Sequence, residues 1–226
     1  MVLIHEPLLS RASTQTGWAR QRSAEEICAS YLLNQDGTIS NEHPLRLDQL
    51  LERLSGGAAT DEHELTLQLE IKSHADEQLA IETAQETMTQ VVRHSGALRV
   101  NVEIISFWPA VAVLAAKHGL RARLIIACPY VPEALAEWGA AVGLFGVILE
   151  GPYFASSALK PWRKAGLSVM SGVINDAALL EPVLSFQPAA VATDRPHELR
   201  REIEALLSAA NRSPHAPVRA PGEPHA

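Results

Sequence analysis

Short apolar runs alternate along this chain with longer stretches in which apolar residues return every three or four positions. Seven runs read as strands: Val2–His5, Leu65–Lys72, Val100–Phe107, Ala122–Cys128, Phe145–Gly151, Leu167–Ile174 and Ala189–Thr193. Helical pattern separates most of them, the alternation that predicts a parallel sheet covered by helices. Ser23-Ala24-Glu25-Glu26 is a capping box, and Pro109, Pro132 and Pro196 stand where first helical residues belong. Asp176 and Asp194 suit N-caps just after strands. Between Asp76 and Ser95, Ile81, Ala84, Met88 and Val91 or Val92 share one helical face. Asn34–Gly37 and Ser55–Gly57 read as turns. From residue 211 onward the chain carries four prolines and one branched aliphatic residue, too little to bury. The expected organisation is one domain over residues 1–210 and a disordered tail over 211–226.

Composition narrows the function classes. The 226 residues are 47% hydrophobic and 20% charged, as in a globular chain. A net charge of −7 with no basic stripe argues against nucleic acid or a membrane surface as partner. Cys28 and Cys128 are far apart and have no CxxC spacing, so neither a disulfide framework nor a thiolate zinc site is expected. The apolar runs are too short to span a bilayer. The start shows neither a basic region nor a sustained apolar one, so no signal peptide is expected and the predicted location is cytoplasmic.

Candidate chemistry sits at strand ends. In Leu65–Lys72 the residues Leu65, Leu67, Leu69 and Ile71 share one face, and Thr66, Gln68, Glu70 and Lys72 share the other. If helices cover the leucines, Glu70 and Lys72 point inward near the C-terminal end of the strand, where barrel active sites are built. A carboxylate there can hold a divalent cation, and a lysine one pleat further can meet a phosphate as a point charge. A structural Glu–Lys ion pair fits the same spacing. His5 ends the first apolar run, and an imidazole at a strand tip can donate a proton to a leaving alkoxide. His43, His63 and His74 lie in polar contexts and are expected to be solvated.

Taken in order, several stretches resemble the glycerophosphodiester phosphodiesterase family of TIM barrels. VLIHEPLLSRASTQTGW is similar to the family's strand-end His-Asp, its Pro-x-Leu-x-Arg-Thr-Thr and a later Gly-Trp. HPLRLDQLLERL resembles its Ile-Pro-Thr-Leu-x-Glu-x-Leu helix start, LQLEIK its Ile-Glu-Ile-Lys strand and IISFWP its Ser-Phe-Asp-Pro. GVIND resembles Trp-Thr-Val-Asn-Asp, and VATDRPHEL resembles Ile-Thr-Asp-Arg-Pro. The resemblance spans Val2 to about Leu207.

It implies an α/β fold, a TIM (β/α)8-type barrel that is N-terminally incomplete, with the sequence entering at the third barrel strand. The family's first-strand His-Arg and Glu-Asn and its second-strand Glu-x-Asp have no counterpart here. The implied activity is metal-assisted hydrolysis of a small-molecule glycerophosphodiester to glycerol 3-phosphate and an alcohol. His5 matches the general acid, Lys72 the phosphate contact and Glu70 a ligand to a divalent metal, calcium or magnesium, in a weak or incomplete site. Glu6 and Glu103 are the next carboxylates that could join that ligand. Glu6 stands where Asp is usual, Trp108 where the Asp of Ser-Phe-Asp-Pro is usual, and Gly172 where an aromatic lines the pocket. The competing expectation is a non-enzymatic remnant that binds without turnover.

Overall fold

The computed structural model describes residues 1–56, 65–72, 76–128, 133–150, 154 and 156–212. Its first strands, β1 (Val2–Leu3) and β2 (Leu45–Arg46), form a small antiparallel ribbon, with Val2 opposite Arg46 and Leu3 opposite Leu45. Between them run two 3₁₀ turns and the short helix α1 (Ala24–Cys28), followed after β2 by α2 (Leu47–Gly56). Six parallel strands come next: β3 (Thr66–Glu70), β4 (Asn101–Ser106), β5 (Arg121–Ile126), β6 (Gly146–Leu149), β7 (Ser168–Val173) and β8 (Val191–Ala192). They lie side by side in chain order. Each is followed by a helix, respectively α3 (Glu77–His94), α4 (Pro109–Lys117), α5 (Glu133–Ala141), α6 (Ser156–Lys164), α7 (Ala177–Ser185) and α8 (Pro196–Arg212).

The sheet is rolled. Gln68 Nε2 on β3 donates to the sulfur of Met170 on β7, four strands away, at 3.2 Å. In a flat sheet four strand spacings come to roughly 19 Å. Six rolled parallel strands, each with its helix outside, make a partial (β/α)8 barrel, since the closed form has eight. β3 and β8 are its edges.

One expected barrel strand belongs elsewhere. Entry at the third barrel strand implies that Val2–His5 lies parallel to and beside the Glu70 strand; instead Val2 and Leu3 pair antiparallel with β2. A four-residue apolar run buries the same surface in a ribbon as in a barrel and carries no information about its partner's direction. Setting it outside the ring also repairs the strand count, because seven runs plus two unmatched strands exceed eight.

Packing follows the pattern of each segment. Alternate residues of β3 (Leu67, Leu69) and Ile71 beyond it turn outward and pack with α3, whose Ala80, Ala84, Met88 and Val91 are buried. Burying a side chain the size of Met88 or Val91 contributes about 1.5–3 kcal/mol. Val92 is the exposed member of that pair, at 52%. The Ser23 box is formed, with Glu26 N–H donating to Ser23 Oγ and Ser23 N–H to the Glu26 carboxylate. Asp76 and Asp176 cap α3 and α7, and Pro109 and Pro196 open α4 and α8. Asp194 does not cap: it accepts from Asn175 Nδ2 at 2.7 Å and thereby joins the ends of β7 and β8. Asn34–Gly37 turns, with Gly37 at φ +82°. Pro132, Gly57, His63, His74 and the tail from residue 213 lie outside the described residues.

Inside the roll, side chains form layers. Near the strand starts is a buried polar layer. Glu103 on β4 accepts from Arg123 Nε at 2.7 Å and from Gln68 Nε2 at 3.0 Å. Arg123 crosses beneath β6 to Ser168 Oγ on β7 at 3.1 Å. Gly146 makes that crossing possible, because a Cβ there would stand 2.2 Å from the Ser168 carbonyl oxygen and 2.6 Å from the guanidinium. Burial pushes the Glu103 carboxyl up, but the bonds from Arg123 and Gln68 and the charges of Arg123 and Arg121 outweigh it. The net result is a lowered pKa. Above this layer Ile105, Ile125, Ile148 and Met170 form an apolar one.

Candidate active site at the barrel mouth

Strand parity carries polar groups from the polar layer up to the C-terminal mouth. Thr66, Gln68 and Glu70 share the inner face of β3, and Gln68 is fixed there by its bonds to Glu103 and Met170. Glu70 is the last residue of β3, and Lys72 follows on the same side with its Nζ 2.9 Å from Glu70 Oε1. Both side chains are about a quarter exposed, at 25% and 24%. Glu70 and Lys72 are therefore an ion pair, each satisfying the other, open to solvent on one side.

His5 reaches the same space from the other end of the sequence. It follows β1, and its Nδ1 lies 3.3 Å from Glu6 Oε1 with the imidazole largely exposed. Arg11 approaches the other Glu6 oxygen at 3.8 Å. A cavity of about 760 Å³ is lined by His5, Glu6, Glu70 and Lys72 together, and also by Trp18, Arg20 and Arg22. The three expected site residues thus share one cavity, although β1 and β3 are not hydrogen-bonded neighbours. The antiparallel ribbon supplies the wall that an adjacent strand was expected to supply.

The donor set for a divalent cation is thin. Among the described residues no group of three or more His, Cys, Asp or Glu side chains converges. Glu70 Oε1 is engaged by Lys72, Glu6 by His5 and Arg11, and Glu103 is held by Arg123 and Gln68. Glu103 therefore belongs to the buried layer and is not a reserve ligand. Hard cations take six or more oxygens, several of them from the protein. The described residues do not form such a cage.

Two features of the mouth escaped sequence reasoning. Glu150 follows β6 and folds against β7, where a Cβ on Gly172 would meet Glu150 Cα at 2.9 Å and Oε2 at 3.0 Å. That explains the glycine at the position where the resemblance implied an aromatic: Glu150 already fills the space. The available signal was a single charge closing the apolar run Val147–Leu149. The second feature is Asn175, whose Oδ1 accepts from Thr193 Oγ1 and from Asp194 N–H, both at 3.0 Å. It staples β7 to β8 at the rim. Trp108 sits at the N-cap of α4, half-buried against the core, and its N–H donates to Ser106 Oγ at 3.1 Å. His43 is anchored, with Nδ1 2.7 Å from the Ser30 carbonyl and its ring 4.4 Å from that of Tyr31. No described helix is long and apolar enough to cross a membrane.

No family model and no curated protein matches the chain. Solved structures do. An Oleispira antarctica phosphodiesterase in complex with the product sn-glycerol-3-phosphate is similar over 90% of this chain and 79% of its own, with a TM-score of 0.70 at 20% identity. A glycerophosphodiester phosphodiesterase from Parabacteroides distasonis covers 91% and 79%, with a TM-score of 0.69 at 17% identity. One from Agrobacterium tumefaciens covers 86% and 78%, with a TM-score of 0.58 at 19% identity. At these identities the likeness is one of fold: this chain has the fold of those barrels over about four-fifths of their length.

Proposed function

We propose that the chain is a glycerophosphodiester phosphodiesterase-type barrel whose mouth takes a small glycerophosphodiester. The observation that carries this reading is the meeting of His5, Glu70 and Lys72 at one cavity at the C-terminal end of the β3 edge. These are the three positions that the motif resemblance selects, and 65 or more residues separate His5 from the other two. The solved structures of like fold, one holding sn-glycerol 3-phosphate, support the same substrate class.

In this reading Lys72 binds a phosphate oxygen as a point charge, exchanging its bond to Glu70 for one to the ligand. Glu6 orients the His5 ring through Nδ1, so that a protonated His5 presents Nε2–H to the leaving alkoxide. Glu70 holds Lys72 in place while the site is empty. Proton donation of this kind typically contributes ~10²–10⁴ in rate. A second reading, binding with little turnover, is favoured by the lack of a cation cage among the described residues. Catalytic groups that act together are strongly non-additive, so an acid and a phosphate contact alone give little rate.

Two measurements separate the readings. Hydrolysis of glycerophosphocholine by residues 1–226 is expected near background, and calorimetry with calcium or magnesium is expected to show no sub-micromolar site. Binding of sn-glycerol 3-phosphate that Lys72→Met weakens about tenfold supports the proposed site in either case. If Lys72→Met leaves binding unchanged, or if no binding occurs, the site is wrong. Robust metal-dependent turnover lost in Glu70→Ala establishes the full enzyme and overturns the binding-only reading.

A further inference from the structure

Glu150 enters the mouth from the wall opposite β3. Leu149 on β6 lies opposite Ser171 on β7, so Glu150, the next residue, comes opposite Gly172. Ile148 and Met170, two residues before them, belong to the apolar layer inside the roll, which puts Glu150 and Gly172 on the inner face as well. The Glu150 N–H donates to the Ile126 carbonyl at 3.1 Å, and Oε2 rests 3.0 Å from the point where a Gly172 Cβ would stand. The carboxylate is thus laid over β7, in the space that a side chain at 172 would take.

Its height follows from a contact one pleat below. Gln68 on β3 reaches the sulfur of Met170 on β7 across the interior, at 3.2 Å. Glu70 and Gly172 each lie two residues further along parallel strands, a rise of roughly 6.6 Å on both sides. Glu70 and the Glu150 carboxylate therefore share one layer, on opposite walls of the mouth. Their circumstances differ. Glu70 is bound to Lys72 Nζ at 2.9 Å, whereas among the described residues none ion-pairs with the Glu150 carboxylate or donates to it.

Charge decides what such a mouth takes. With Lys72 turned to the phosphate of a diester, this layer holds Glu70, Glu150 and the phosphate against one lysine. An alcohol moiety without a cation leaves that excess unbalanced. A head group with an ammonium brings the cation, and its N–H groups donate to the Glu150 oxygens as charge-assisted bonds. We propose that Glu150 is the residue that recognises the head group, selecting glycerophosphodiesters whose alcohol carries an ammonium, with the phosphate on Lys72 and the ammonium on Glu150. The inference rests on the reading of the mouth as a glycerophosphodiester site and adds the class of head group. Gly172 belongs to the same arrangement, because a Cβ there would stand 2.9 Å from Glu150 Cα and displace the carboxylate from its seat.

The test is calorimetric binding to the full chain of two diesters of equal shape, sn-glycero-3-phosphoethanolamine and its n-propyl counterpart, in which a methyl group replaces the ammonium. The ammonium ester is expected to bind about tenfold tighter. Glu150→Gln keeps the size of the side chain and removes its charge; it is expected to cut that preference to about twofold or less, by weakening the ammonium ester alone. Lys72→Met is expected to weaken both esters about tenfold and to keep the preference. Near-ultraviolet circular dichroism checks that each variant keeps the wild-type fold. Equal affinity of the two esters for the wild-type chain overturns the proposal, and so does a preference that survives in Glu150→Gln. Equal weakening of both esters by Glu150→Gln would assign the carboxylate to the shared glycerol hydroxyls and overturn it likewise. In all three cases Lys72→Met still weakens both esters. If it weakens neither, or if neither ester binds, the phosphate site itself is wrong and the head-group assignment falls with it.

Discussion

The two ends of the rolled sheet are built on opposite principles. At the strand starts, Gln68, Glu103, Arg123 and Ser168 join β3, β4, β5 and β7 in one buried network with its charges matched. At the mouth, among the described residues, Glu70 pairs only with Lys72, His5 leans on its sequence neighbour Glu6, and Glu150 rests on a glycine. Both ends draw on the same inward parity of the same strands. What differs is solvent: buried charge must be satisfied internally, whereas charge at an open mouth can exchange partners with a ligand. The closed end maintains the curvature that brings β7 over β3, and the open end is left free for chemistry, the division of labour general to barrels of this kind.

The largest effect is expected from breaking the closed end. Arg123→Met leaves the Glu103 carboxylate buried without its main partner, and urea unfolding should show a loss of about 3–5 kcal/mol. Replacing both partners with apolar residues should recover much of that loss. A double variant as unstable as the single one would mean that the network acts by shape and not by charge.

Acid should discriminate between the two ends next. The Glu103 pKa is lowered in the folded state, so its contribution is fully present above the unfolded carboxylate pKa. It is lost as pH falls through the lower folded value. Melting temperature measured on acidification should therefore fall below the ordinary carboxylate range, and Glu103→Gln should flatten that part of the profile. An unchanged profile in the variant would remove Glu103 as its source.

The smallest effect belongs to the mouth. Glu70→Gln and Lys72→Met should each change unfolding free energy by only about 0–1 kcal/mol, as for a solvent-facing ion pair. A loss as large as that of Arg123→Met would place Glu70 and Lys72 in the framework and erase the contrast between the ends.

Much of this was legible from one-dimensional pattern. The six parallel strands, the caps at Ser23, Asp76 and Asp176, and the outward turn of Leu67, Leu69 and Ile71 all follow from local periodicity and side-chain chemistry. Such signals depend on near neighbours, so they survive without knowledge of the fold. The strand at Val2, the cap expected of Asp194 and the role of Glu103 were misread for one shared reason. In each case the residue type was right and its partner lay far away in sequence: β2 for Val2, Asn175 for Asp194, Arg123 for Glu103.

The sequence by itself determined the six parallel strands, their order and the inward side of Glu70 and Lys72 at the end of β3, because each is written in spacing and residue type. Only the tertiary structure decided which charges are consumed by the framework and which stay open at the mouth. It also decided that β3 stands at one end of the six-stranded sheet and β8 at the other. Partner choice depends on which strands the roll brings together across the interior, and no local pattern encodes a distance of four strands.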